Sequence, residues 1–144
     1  MSNPLTLFDT QNRYYDHGQF ATSTAGSGNV AYESSSSTFL LNVGTTNGDS
    51  AITESYKVFP YQPGKSLFVL CTFVMSPAKT NLQQRVGYFG ATNGVFFEQN
   101  LTKNMVIRSS SSGSIVEERI AQSSWNTDKL DGTGPSGITL DTTA

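Results

Sequence analysis

Between Arg85 and Ala121 the sequence alternates apolar runs with Gly, Ser and Asn breaks, at a spacing of roughly eight to twelve residues. Arg85-Val86-Gly87-Tyr88-Phe89-Gly90 leads into Ala91-Thr92-Asn93-Gly94, and Val95-Phe96-Phe97-Glu98-Gln99 follows. An Asn-Gly pair between two apolar runs is the strongest short-range hairpin signal, because both residues tolerate positive φ. Residues 100–103 read as the next turn, 104–108 as a strand, 109–113 as a turn and 114–121 as another strand. No segment carries a helical period. Residues 85–121 are therefore expected to form an antiparallel meander.

A second feature is the most apolar run in the chain, Leu67-Phe68-Val69-Leu70-Cys71-Thr72-Phe73-Val74-Met75. It is too short to cross a membrane, which takes about 20 apolar residues. Its Val, Phe, Thr and Cys suit a pleated surface, and Pro63-Gly64 and Ser76-Pro77 bound it. The run predicts a central strand buried on both faces, with the rest of the chain supplying two sheets around it. Cys71 is then a small buried hydrophobe. It is the single cysteine, so there is no internal disulfide, which fits assembly in a reducing cytoplasm.

Ahead of that run the signals are shorter. Residues 8–11 read as a short strand or extended arm, and residues 21–29, rich in Ser, Thr, Ala and Gly, as a flexible loop. Residues 30–33 and 38–43 read as strands around a Ser-rich turn. Asn47-Gly48 marks a tight turn. Residues 50–59 alternate, with Ile52, Glu54, Tyr56 and Val58 on one face and Thr53, Ser55, Lys57 and Phe59 on the other, until Pro60 and Pro63 end the strand. Residues 76–84 read as a polar connection with room for one helical turn, and residues 125–137 as a turn-rich loop. A fresh alternation begins at Ile138-Thr139-Leu140-Asp141, and a strand that opens there calls for a later partner. The chain is expected to be truncated at its C-terminus.

Charged residues make up only 14% of the chain, against a usual share of about 25%, and Ser, Thr, Asn and Gly fill the deficit. That mix favours strands and turns over helices. The net charge of -2 leaves no electrostatic footprint for nucleic acid or an anionic membrane. Nucleic-acid binding and membrane insertion are thus not expected. Residues 1–20 do not resemble a signal peptide.

Catalytic chemistry finds little support in the residues. His17 is the single histidine, set in a polar segment, and no G-x-S-x-G elbow accompanies it. Zinc takes about four Cys or His ligands, twice the number present. Pro63-Gly64-Lys65-Ser66 ends like a phosphate loop but lacks its first glycine and precedes a strand. Glu117 and Glu118 are adjacent on a strand and point to opposite faces, while Glu98 and Glu54 stand alone, so the carboxylate pair of a glycosidase is missing. Asn126, Asp128 and Asp131-Gly132 faintly suggest a calcium loop, but Asp131 falls one position late, and a turn with Asx hydrogen bonds is preferred. Asn100-Leu101-Thr102 has the form of a glycosylation sequon and reads as a turn. Trp125 either stacks on a sugar ring or plugs the end of the core, the latter being favoured. No catalytic residue, metal or cofactor is expected. The residues best placed to bind a glycan are Trp125, Asn126 and Asp128.

Several segments resemble a viral group. They are residues 58–66, residues 84–90 with 93–99, residues 123–137, and the opening Arg13-Tyr14-Tyr15-Asp16-His17-Gly18-Gln19-Phe20. Together they resemble mostly uncharacterised structural proteins of tailed phages and large aquatic DNA viruses, whose members look like concanavalin-type jelly rolls and continue past the position of Ala144. The resemblance implies a virion component assembled in the host cytoplasm, oligomeric, and in contact with other virion proteins. It transfers no catalytic residue. The expected fold is an all-β antiparallel sandwich of jelly-roll, concanavalin A-like lectin or glucanase type. Residues 1–28 are expected to be an arm and loop, and residues 29–144 a partial sandwich. The expected function is a non-enzymatic structural or adhesion protein of a virus particle. A lectin-like module recognising host-surface carbohydrate is the alternative, and a glycoside hydrolase a distant one.

Overall fold

The structure, a computed structural model, describes residues 5–60, 62–111 and 113–143. Every regular element in them is an antiparallel strand except one 3-10 turn, Gln122–Ser124. The chain divides into two compact units, Met1–Lys65 and Ser66–Ala144.

The first unit holds β1 (Phe20–Ala25), β2 (Asn29–Glu33), β3 (Thr38–Asn42) and β4 (Ser50–Ser55). β2 and β3 pair as a local hairpin, and β1 pairs with β4 around it. The two ribbons meet through aromatic rings in edge-to-face contact, with Phe20 on β1 5.6 Å from Phe39 on β3. Phe39 continues to Tyr32 at 5.7 Å, and Phe20 to Phe8 at 5.9 Å. Phe8 in turn meets Phe59 at 5.7 Å. Such pairs add about 0.5–1.5 kcal/mol each beyond the area they bury. This row explains the strand choice. Val30 and Tyr32 alternate with exposed neighbours on β2, as a half-buried strand requires. β1 corrects the reading of residues 21–29 as a loop: its Ser, Thr and Ala side chains are small and polar, but its backbone is paired along its whole length with β4. The Asn47-Gly48 turn is present, with Gly48 at φ +94° and Asp49 N–H donating to Thr46 O.

The second unit is built on β5 (Gln84–Phe89), β6 (Gly94–Gln99), β7 (Lys103–Ser111) and β8 (Ser114–Ala121), in the order β5-β6-β7-β8. This is the expected meander. The hairpin closes between Gly90 and Asn93, with Gly90 N–H donating to Asn93 O at 2.8 Å, so Ala91-Thr92 take the centre of the turn, two residues before the expected Asn93-Gly94. The expected turn at 109–113 starts later than its Ser-rich sequence suggests, because β7 pairs with β8 as far as Ser111; Ser112 lies outside the described residues. The buried apolar side chains among the described residues are Met75, Phe96 and Val106. Phe96 and Val106 are cross-strand partners in the middle of the sheet.

The largest correction concerns residues 67–75, which form no strand. Phe68 is 85% exposed and Leu70 82%, whereas Met75 at 6% is buried. Cys71 is exposed as well. The meander pairs β5 to β8 with one another, and neither of its edge strands, β5 or β8, takes this run as a further strand. It is held at its C-terminal end instead. Met75 N–H donates to Thr142 O at 2.7 Å. Ser76 exchanges two hydrogen bonds with the Gln84 side-chain amide and accepts a third from Gln99 Nε2. The connection that follows contains a turn at Asn81, which sits at φ +63° with Leu82 N–H donating to Lys79 O.

Candidate functional site

Counting outward from the hairpin, Arg85 on β5 lies opposite Glu98 on β6, Glu98 opposite Asn104 on β7, and Asn104 opposite Ala121 on β8. Alternate residues of a strand share a face. Arg85, Phe96, Glu98, Val106, Arg108, Glu117 and Arg119 therefore rise from the same side of the sheet, and Glu118 from the other.

Glu98 is the junction of this cluster and is fully buried. Its carboxylate accepts from Arg85 Nε at 2.8 Å and from Arg119 Nε at 2.8 Å. Glu117 accepts from Arg108 Nε at 2.9 Å and Nη2 at 2.6 Å, pairs with Arg119 as well, and lies 4.0 Å from Arg85 Nη2. The Arg85 and Arg108 guanidiniums stand 5.3 and 5.2 Å from the centre of the Phe96 ring. Phe89 packs on that ring at 4.5 Å. Gly87 faces Phe96 across the hairpin at φ +153°, and a Cβ there would come within 2.7 Å of both Phe96 Cα and Val95 O. Only glycine allows this approach.

Burial by itself pushes Glu98 up. The hydrogen bonds and charges of Arg119 and Arg85 outweigh it and hold its carboxyl below the usual carboxylate range. Glu117 is also held low, chiefly by the Arg108 hydrogen bond, against partial desolvation. Arg119 is raised, first by its bond to Glu98. Both carboxylates are therefore ionised at neutral pH, with arginine donors on them. A glycosidase needs one carboxyl kept protonated as the acid, and this pair holds none.

The expectation that Glu98 stands alone is corrected: it shares a face and an arginine with Glu117. The sequence did not give this pairing, since a turn centred on Asn93-Gly94 would set Arg85 opposite Thr102, whereas the observed turn is centred on Ala91-Thr92.

The other candidate residues lie after β8. Trp125 is half-buried and its indole N–H donates to Ile120 O at 3.1 Å. Asp128 Oδ1 accepts from Leu130 N–H and Oδ2 from Ser136 N–H, each at 2.8 Å. The Ser136 side chain first, and then the Leu130 and Ser136 N–H groups, hold its pKa below the usual value. Gly134 is packed so closely that a Cβ would fall 2.1 Å from Asp128 Oδ1. Asp131 caps Thr133 in the same way, so these acids form Asx turns. Asn126 is exposed and accepts from the Thr127 hydroxyl at 3.3 Å. The three residues thus share one loop, with Asp128 turned into it. Among the described residues no three of His, Cys, Asp and Glu come together as a metal site. His17 donates its backbone N–H to Asn12 and stacks near Tyr15. Asn100 forms an Asx turn with Thr102.

Compared with known proteins, the chain matches no family model, no curated protein and no solved structure.

Proposed function

We propose that this chain is a non-enzymatic structural module of a virus particle, which packs against other particle proteins. The observation that carries the reading is the state of Glu98 and Glu117. The two carboxylates that share a face are ionised and gripped by arginines, so they brace a sheet and do not move protons. The viral part of the reading rests on the quoted sequence segments. The jelly-roll or concanavalin-like sandwich is the finer form of the fold in this reading: the antiparallel ribbons and the meander are the parts from which such a fold is assembled. The glycan-binding alternative has weaker support, because the oxygens of Asp128 are already taken by loop N–H groups.

The test is an antibody against this chain, applied to gradient-purified particles from an infected culture. Co-sedimentation of the antigen with nuclease-protected DNA is expected. Antigen confined to the soluble fraction, or sugar release by the purified protein that disappears on Glu98→Gln, would overturn the proposal.

A further inference from the structure

We infer that residues 67–75 are a self-recognition strand, through which two copies of the chain pair antiparallel about Cys71. Four observations carry this.

The segment already has the shape of a strand. From Lys65 to Lys79 there is no turn and no bend, and the positive-φ residues on either side are Gly64 and Asn81. Its exposure alternates. Leu67, Val69 and Phe73 are about half covered, whereas Phe68, Leu70 and Val74 are bare. Phe73 rests on Phe97 of β6 at 5.9 Å, so the odd positions lean on the unit's own sheet and the even positions face outward.

The backbone is also open. Met75 N–H is bonded to Thr142 O, and among the described residues no backbone–backbone hydrogen bond serves residues 66–74. In an extended chain the odd residues direct their N–H and C=O groups to the edge that Thr142 occupies. The even residues direct theirs to the opposite edge, which is free to accept a strand.

Third, the segment is complementary to itself. Pairing about Cys71 sets Leu67 opposite Met75 of the copy, Phe68 opposite Val74, Val69 opposite Phe73 and Leu70 opposite Thr72. Every bare apolar side chain on the outer face gains a neighbour, and aromatic–aliphatic cross-strand pairs are favourable. With the even residues hydrogen-bonded, Cys71 faces its copy in a non-hydrogen-bonded pair, where the Cα atoms lie about 4.5 Å apart.

Last, charge favours a copy as the occupant over a strand of opposite charge. There is no charged residue from Ser66 to Ala78, so two copies meet without repulsion and a charged partner strand would find nothing to pair with. One strand pair buries less than the roughly 1,200 Å² typical of a stable interface. The pairing is therefore weak, with a concentration-dependent dimer at micromolar levels or above.

The experiment is sedimentation equilibrium of the full chain across a wide concentration range, joined to oxidative cross-linking. Partial desolvation by its neighbours holds the exposed Cys71 thiol above its ordinary pKa, so cross-linking is run with diamide, a thiol oxidant, at mildly alkaline pH. Wild type should dimerise, and Leu70→Lys should weaken the dimer about tenfold or more. Ile115→Lys, on an exposed position of β8, should leave it unchanged. In a Cys71→Ser background, Leu70→Cys mixed with Thr72→Cys should cross-link as the mixed dimer, in preference to either variant with itself. A monomer throughout, a dimer indifferent to Leu70→Lys, or cross-links without that register would overturn the inference.

Discussion

Glu98 on β6 and Arg119 on β8 meet at 2.8 Å, although β7 runs between their strands. The Arg119 side chain reaches diagonally over the sheet to make this bond, and Arg85 grips the same carboxylate from β5. One buried charge thus ties three of the four strands together.

Replacing that charge should be costly. Breaking a buried ion pair typically costs 3–5 kcal/mol. The arginines here are partly exposed and can regain water, so Glu98→Gln should destabilise the protein by about 2 kcal/mol. Urea unfolding measures this directly, and a loss under about 0.5 kcal/mol would show that the cluster is not a clamp.

Acid should weaken the same clamp. The folded pKa values of Glu98 and Glu117 lie below the ordinary 4.5. Groups of this kind contribute stability that is fully present above the unfolded pKa and is lost as pH falls through the folded one. Stability should therefore be flat from neutrality to about pH 5 and fall below about pH 4.5. The gap between wild type and a Glu98→Gln, Glu117→Gln double variant should narrow over that same window. A gap that stays constant with pH would exclude the carboxylates as its source.

Gly94→Ala should fail for steric reasons. Gly94 sits at φ +147°, and a Cβ would approach Phe89 Cα to 2.3 Å and Tyr88 O to 2.5 Å. Both atoms belong to the facing strand and cannot yield cheaply. A loss above about 2 kcal/mol is expected. A neutral substitution, again by urea unfolding, would place the hairpin register elsewhere.

The loop after β8 should loosen on Asp128→Ala. The Leu130 and Ser136 N–H groups would lose their acceptor, so hydrogen exchange between residues 126 and 137 should accelerate while β5 to β8 stay protected. Unchanged exchange in the loop would deny Asp128 its organising part.

How much of this was legible in the sequence depends on where the determining partner lies. The β5–β8 meander was readable from its alternating runs and the Gly, Asn and Ser breaks between them, although the first turn falls at Ala91-Thr92 and not at Asn93-Gly94. The pairing of Arg85 with Glu98 was not legible, because it rests on a turn two residues earlier than the Asn-Gly signal, and Arg119 joins them only through the register of β7 and β8, one strand beyond the hairpin. β1 was not legible, since Ala-Thr-Ser-Thr-Ala carries no strand signature and owes its structure to β4, about thirty residues away. The 67–75 run was misread because apolarity shows that burial is favourable without supplying the strands that would provide it. Trp125, Asn126 and Asp128 could be named from sequence, but the inward turn of the Asp128 carboxylate depends on Ser136 and Gly134 beyond the next turn.

The location of the core can be tested by one comparison of two phenylalanines. Phe96 is buried in the middle of the meander, whereas Phe73 is 41% exposed above Phe97. Phe96→Ala should cost about 3–5 kcal/mol, and Phe73→Ala only about 1 kcal/mol, since roughly half of its apolar surface stays in water. Urea unfolding of both variants beside wild type should return that order. Equal losses, or a larger loss for Phe73→Ala, would put the core back at residues 67–75 and contradict the fold described above.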